Sequence, residues 1–101
     1  MFERKDLSKE EVLLSVIGSL NGETTNEFHR QVEELAGASY STISLDLSRT
    51  DSINSSALGK ILLFRKKLAE TQRTLQIKGC SESLFKTFQM IKFDTLISIK
   101  R

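Results

Sequence analysis

The feature that most limits the fold is an alternation of two periods along the chain. Val12-Leu13-Leu14-Ser15-Val16-Ile17 is nearly continuous, apolar and β-branched, as expected of a central strand covered on both faces, and the stretch Gly18 to Gly22 ends it. Ile43, Leu45 and Leu47 alternate with Ser44, Asp46 and Ser48, the period of a second strand. Leu75 and Ile77 repeat that pattern before Gly79, which is read as turning the chain, and Leu96 to Ile99 supplies a final strand.

Between these runs the period lengthens to that of a helix. Thr24 and Glu27 have the spacing of a capping box, Phe28, Val32 and Leu35 then form one apolar face, and Gly37 is the stop. After a polar linker, Arg49 to Ser52, a second helix is expected from Ser55 to about Glu70, with Leu58, Ile61, Leu62 and Leu68 facing inward. Leu84, Phe85, Phe88 and Ile91 form the stripe of a third. Phe2 to Leu7 can pair back across Ser8-Lys9-Glu10 as an antiparallel edge strand. Strand and helix in strict alternation imply right-handed crossovers. The expected fold is α/β, with a mixed, mostly parallel sheet of four to five strands and three or four helices.

A chain of 101 residues, 39% hydrophobic, fits one domain over 1–101 and fills its core without disulfides or metals. Its 15 Lys and Arg against 13 Asp and Glu leave a formal charge of +2, too little to draw nucleic acid or a membrane by long-range attraction. The single cysteine, Cys80, cannot form an internal bridge, and the longest apolar run is too short to cross a bilayer. A cytoplasmic protein without direct membrane insertion is expected.

The residue combinations that catalysis requires are missing. His29 is the one histidine and lies mid-helix among polar residues, where a solvated imidazole is expected. Cys80 has no histidine near it in sequence and reads as a packed strand-end cysteine. Gly59-Lys60 is no phosphate loop: Asn54 stands where that motif has its first Gly, and Ile61 where it has its hydroxyl. Glu10-Glu11 and Glu33-Glu34 are adjacent carboxylates that point apart, and Lys60, Arg65, Lys66 and Lys67 read as a solvated helix face. No enzyme, cofactor or metal is expected.

What remains is Leu45-Asp46-Leu47-Ser48 followed by Ile53-Asn54-Ser55-Ser56-Ala57-Leu58-Gly59 at a helix start. Here the sequence resembles the STAS domain family, of the anti-sigma factor antagonist type. In that family a strand ending Asp-Leu-Ser precedes an Asp-Ser-(Ser/Thr/Ala)-Gly-Leu-Gly turn whose first serine a partner kinase phosphorylates. Asp46-Leu47-Ser48, Ser55, Ser56, Leu58 and Gly59 match, Asn54 replaces Asp, and Ala57 replaces Gly. Gly18-Ser19-Leu20-Asn21 resembles the family's Gly-x-Leu-Asp, with Asn21 for Asp.

The resemblance implies Ser55 as phosphoacceptor, with Ser56 the second choice. It implies a docking surface of Asn21 and Asn54 to Gly59, and on the helix beyond them Lys60, Phe64 and Lys67 are candidates, with Phe64 equally readable as core. The implied partner is an anti-sigma-factor-type serine kinase, with a PP2C-like phosphatase to reverse the modification. A serine in the first turn of a helix faces unpaired N–H groups and the positive end of the dipole, so the fold tolerates a phosphate there. The same residues also read simply as helix caps. The amides at Asn21 and Asn54 leave an alternative: a STAS subunit that is never phosphorylated and acts as a constitutive assembly component of a transporter or signalling complex.

Overall fold

A computed structural model describes residues 1–100. In chain order the strands and helices are β1 (Phe2–Asp6), β2 (Glu11–Val16), β3 (Gly18–Leu20), α1 (Gly22–Ala36), β4 (Thr42–Leu47), β5 (Thr50–Ile53), α2 (Ser55–Glu70), β6 (Thr74–Cys80), α3 (Glu82–Met90) and β7 (Ile99–Lys100), with a 3₁₀ turn at Phe93–Thr95. The main sheet has the order β1-β2-β4-β6-β7, and β3 pairs with β5 in a separate two-stranded ribbon. Only β1 runs antiparallel, in the hairpin expected from Phe2 to Leu7. The pairs β2–β4, β4–β6 and β6–β7 are parallel. The α/β class, the mixed sheet and three α-helices are as expected.

Side chains alternate across each strand, so one register choice decides both faces. Val12, Leu14 and Val16, Ile43, Leu45 and Leu47, and Leu75 and Ile77 point to one side. There they form a single cluster with Phe28, Val32 and Leu35 of α1, Ile61, Phe64 and Leu68 of α2, and Leu84 and Phe88 of α3. The other face is polar and is covered by its own side chains. Ser44 Oγ donates to Glu11 Oε2 at 2.6 Å and accepts from Gln76 Nε2 at 3.0 Å, while Lys78 Nζ lies 3.4 Å from the same carboxylate oxygen. The expectation that the Val12–Ile17 strand is covered on both faces is therefore corrected. Glu11 and Leu13 are only half-buried on the polar side, and the central position in the sheet belongs to β4.

Other boundaries moved for local reasons. The α1 start lies earlier than expected: Asn21 N–H donates to Thr24 Oγ1 at 2.9 Å, so the cap is Asn21 and Glu27 instead pairs with Arg30 and Gln31. Gly79 does not end its strand. At φ +141° it sits within β6, where the register with β4 shifts, and the strand continues to Cys80. The last strand begins at Ile99 rather than Leu96, and both Ile91 and Leu96 are exposed. Arg73, in the turn before β6, reaches back to the end of α1 and donates to the carbonyl oxygens of Ala36 at 2.7 Å, Tyr40 at 2.7 Å and Ala38 at 3.2 Å. The Ala36 oxygen is one of the acceptors that a helix end leaves without a partner of its own, and those of Ala38 and Tyr40 belong to the loop that follows it.

Candidate functional site: two helix starts held side by side

The segment read as a polar linker, Arg49 to Ser52, is mostly strand. Thr50–Ile53 pairs in parallel with Gly18–Leu20, and Leu20 and Ile53 are register partners. Gly18 N–H donates to Arg49 O at 3.0 Å and Asn54 N–H to Leu20 O at 3.1 Å. The buried Thr50 hydroxyl donates to Val16 O at 2.8 Å, fastening the ribbon to the end of β2. Asn21 and Asn54 each follow one of these paired strand ends, so the starts of α1 and α2 lie next to each other. Sequence reasoning missed the ribbon because two strands of three and four residues, built on Gly, Ser, Thr and Asp, carry no apolar alternation.

The entry into the ribbon is set by Asp46, the acid of Asp-Leu-Ser. Its Oδ1 accepts from Ser48 N–H at 3.0 Å and Ser48 Oγ at 2.6 Å, and its Oδ2 accepts from Ser15 Oγ at 3.1 Å. A side chain bonding the backbone two residues on is an Asx turn, and here it folds the chain out of β4 toward β5. Burial pushes the Asp46 carboxyl up, but the Ser48 side-chain and backbone donors, the Ser15 hydroxyl and the nearby Arg49 charge outweigh it, holding the group below the usual aspartate range.

At the α2 start Asn54 is the N-cap, its side chain accepting from Ala57 N–H at 2.9 Å. Ser55 and Ser56 follow as the first two helical residues. Both are exposed, and neither hydroxyl has a hydrogen-bond partner among the described residues. The first turns of α1 and α3 carry Glu23 and Glu82, whereas that of α2 has no acid. Its positive dipole end is therefore without a countercharge from its own first turn.

Along α2 the inward stripe is Ala57, Ile61, Phe64 and Leu68, rotated from the expected Leu58-Ile61-Leu62-Leu68. Two expected contact residues are thereby corrected. Ala57 is fully buried, so its methyl faces the core and not an approaching molecule. Phe64 is 1% exposed, its ring 5.0 Å from that of His29 on α1. His29 is accordingly no free surface imidazole: its Nε2 lies 2.7 Å from Glu33 Oε2. Lys67 Nζ rests 5.7 Å from the Phe64 ring centre, Lys60 and Leu58 are half-buried, and Asn21, Asn54 and Gly59 are exposed. Leu63, one turn beyond Gly59 on the outer side, is 42% exposed and was not singled out from the sequence. The run Ile61-Leu62-Leu63 held the signal, since three consecutive helical positions span too wide an arc for all to face the core.

Among the described residues no group of three His, Cys, Asp or Glu side chains could hold a metal ion, and no helix is long and apolar enough to cross a membrane. The arrangement presents the exposed hydroxyls of Ser55 and Ser56 beside the exposed amides of Asn21 and Asn54.

An α/β domain with this sheet order and with two helix starts joined by a parallel ribbon has the STAS fold. The chain belongs to the STAS domain family: the family model described as Mlab, STAS domain, matches residues 3–98. No curated protein matches it at a significant level. Among solved structures, the anti-sigma factor antagonist SpoIIAA in its unphosphorylated form superposes with a TM-score of 0.82 at 17% identity, over 100% of this chain and 89% of that one. The phosphorylated form of SpoIIAA from Bacillus gives 0.75 at 17% identity over 100% and 92%. An anti-sigma factor antagonist from Mycobacterium paratuberculosis gives 0.86 at 14% identity over 99% and 84%. At these identities the likeness is one of fold.

Proposed function

We propose that residues 1–101 act as one STAS unit of the anti-sigma factor antagonist kind: a cytoplasmic regulator that docks on an anti-sigma-factor-type serine kinase through the paired helix starts and is released when Ser55 is phosphorylated. The observation that carries this reading is the state of Ser55. Its hydroxyl is exposed and has no hydrogen-bond partner among the described residues, at the first position of a helix whose first turn has no acid. A phosphate there would meet the positive end of the dipole and free N–H groups, so it fits the folded chain. Its charge of about −1.5 to −2 would instead fall on a docked partner, through repulsion and desolvation. A PP2C-like phosphatase would reset the switch.

The docking surface in this reading runs from Asn21 and Asn54 over Ser55, Ser56 and Gly59 to Leu63 and Lys67, with Lys60 at its margin. Gly59 supports it independently. A Cβ at Gly59 would meet nothing within 4 Å, although glycine in a helix interior costs about 0.5–1 kcal/mol relative to alanine. Nothing inside the chain requires that glycine, whereas a partner lying close to the helix backbone would.

Incubation with the cognate kinase and ATP, followed by peptide mass spectrometry, tests the reading. Phosphate on Ser55 with loss of kinase binding is expected. Modification of Ser56 alone, or none with binding intact, defeats the switch.

A second reading, a constitutive assembly subunit, is favoured by the amides. Asn54 commits its side-chain oxygen to the Ala57 N–H, and neither Asn21 nor Asn54 places a carboxylate beside the serine. Partner capture unchanged by Ser55→Asp would support that reading.

A further inference from the structure

We infer that β1 is a self-association edge: two copies pair their β1 strands antiparallel about a twofold axis, joining the two main sheets into one. This pairing does not depend on the role of Ser55.

Met1 and Ile17 exchange both hydrogen bonds, Met1 N to Ile17 O at 2.9 Å and Ile17 N to Met1 O at 2.8 Å, and Leu7 N donates to Glu11 O at 2.9 Å. In an antiparallel ladder hydrogen-bonded and non-hydrogen-bonded pairs alternate. With the register Glu3–Ser15 and Lys5–Leu13, Glu3 and Lys5 therefore bond inward to β2. Phe2, Arg4 and Asp6 present their N–H and C=O groups to the open side. β1 has no proline and no register shift, so two of the usual devices that blunt an edge strand are missing.

A strand meeting its own copy antiparallel can use these groups only if the outward-facing residues oppose one another. The register that does so over all of β1 puts Arg4 opposite Arg4 of the second copy and Phe2 opposite its Asp6. Glu3 then falls opposite the second copy's Lys5, twice, as non-hydrogen-bonded pairs, whose side chains are the closer kind. Slipping one way brings Glu3 against Glu3; slipping the other way brings Lys5 against Lys5 and sets Arg4 opposite Asp6. Within each copy, however, Arg4 is already engaged by Glu34 and Gln31 and Asp6 by the Tyr40 hydroxyl, so the Glu3–Lys5 register is the one favoured. Lys5 has no ion-pair partner within the chain among the described residues, while Glu3 uses Oε1 on Arg49 and leaves Oε2 open. Each Arg4 at the axis is ion-paired within its own copy to Glu34 at 2.9 Å, and its Nε donates to the Gln31 side-chain oxygen at 2.7 Å. Exposed pairs of this kind are weak and screened by salt, so the association belongs to high protein concentration and low ionic strength.

Sedimentation equilibrium from micromolar to millimolar protein at low salt tests the inference. The weight-average mass should rise toward twice the 11.4 kDa of the chain. Lys5→Glu and Glu3→Lys, each singly, should hold it at the monomer value with melting temperature little changed, and the double exchange should restore the rise. In hydrogen exchange by NMR, the Phe2, Arg4 and Asp6 amides should slow several-fold as concentration increases. A chain that stays monomeric throughout overturns the proposal. So does a dimer that forms equally with Lys5→Glu, or a double exchange that fails to recover association while remaining folded.

Discussion

The Oδ1 oxygen of Asp46 lies 3.0 Å from where a Cβ on Gly79 would sit. The carboxylate that turns the chain out of β4 therefore requires the neighbouring strand to have no side chain at that point, and Gly79 also holds a φ of +141° that other residues rarely adopt. Gly79→Ala should lower stability by ~1–3 kcal/mol, the usual cost of a non-glycine residue in such a conformation. Urea denaturation followed by circular dichroism measures it, and a loss within error of zero would count against the clamp.

Asp46 also gives stability an acid dependence whose sign is fixed. Its folded-state pKa is lowered from 3.8, so its ionised form is favoured by folding. That contribution is complete above the unfolded value near 3.8 and is lost as pH falls through the folded pKa. The stability gap between the native protein and Asp46→Asn should be constant at neutral pH and should narrow below about pH 4. Glu11 is shifted in the same direction, chiefly by the Ser44 hydroxyl, so the variant should keep part of the acid sensitivity. Denaturation curves of both proteins from pH 7 to pH 2 check this.

Arg73 joins two turns that are distant in sequence. Replacing it with Met keeps much of the aliphatic stem and leaves the carbonyls of Ala36, Tyr40 and Ala38 without this donor, at a cost of about 2–3 kcal/mol for lost charge-assisted bonds to partly buried acceptors. Arg73→Lys should recover only a minor share, since one ammonium cannot span three carbonyls. Thermal melts of the two variants decide the order.

Gly59→Ala and Leu63→Asp separate folding from docking. The first should raise stability by about 0.5–1 kcal/mol by improving helix propensity, and the second should change it by less than ~0.5 kcal/mol at an exposed site. Both should weaken capture of the proposed kinase partner at least tenfold in a pull-down titration. Unaltered capture by both would move the docking surface off the outer side of α2.

Elements with a clear period were legible from residues alone. The Ile43-Leu45-Leu47 alternation became β4, and α2 spans Ser55 to Glu70 as expected. The rotation of α2 was not legible, because Leu58, Leu62, Leu63 and Leu68 permit more than one apolar stripe. The choice is made by the packing of Phe64 against His29 of α1, and by Ala57, whose small side chain gives little signal in a pattern. The β3–β5 ribbon was hidden for a different reason. Its strands are held by main-chain bonds, the Thr50 hydroxyl and a single apolar pair, Leu20 and Ile53, so there was no alternation for periodicity to report. The Asp46-Leu47-Ser48 and Ser55-Ser56 positions were visible as a motif, but the clamp on Gly79 depends on strands that meet only in three dimensions.

The bonds from Asn54 to Leu20 and from Gly18 to Arg49 fix the two helix starts to each other through main-chain atoms. Every residue can supply those atoms, proline alone lacking the donor. Substitutions at Asn21, Ser55 and Ser56 can therefore alter the chemistry of the surface while the spacing beneath it persists. Such a scaffold lets the exposed side chains at the two helix starts change without each change having to re-establish the fold.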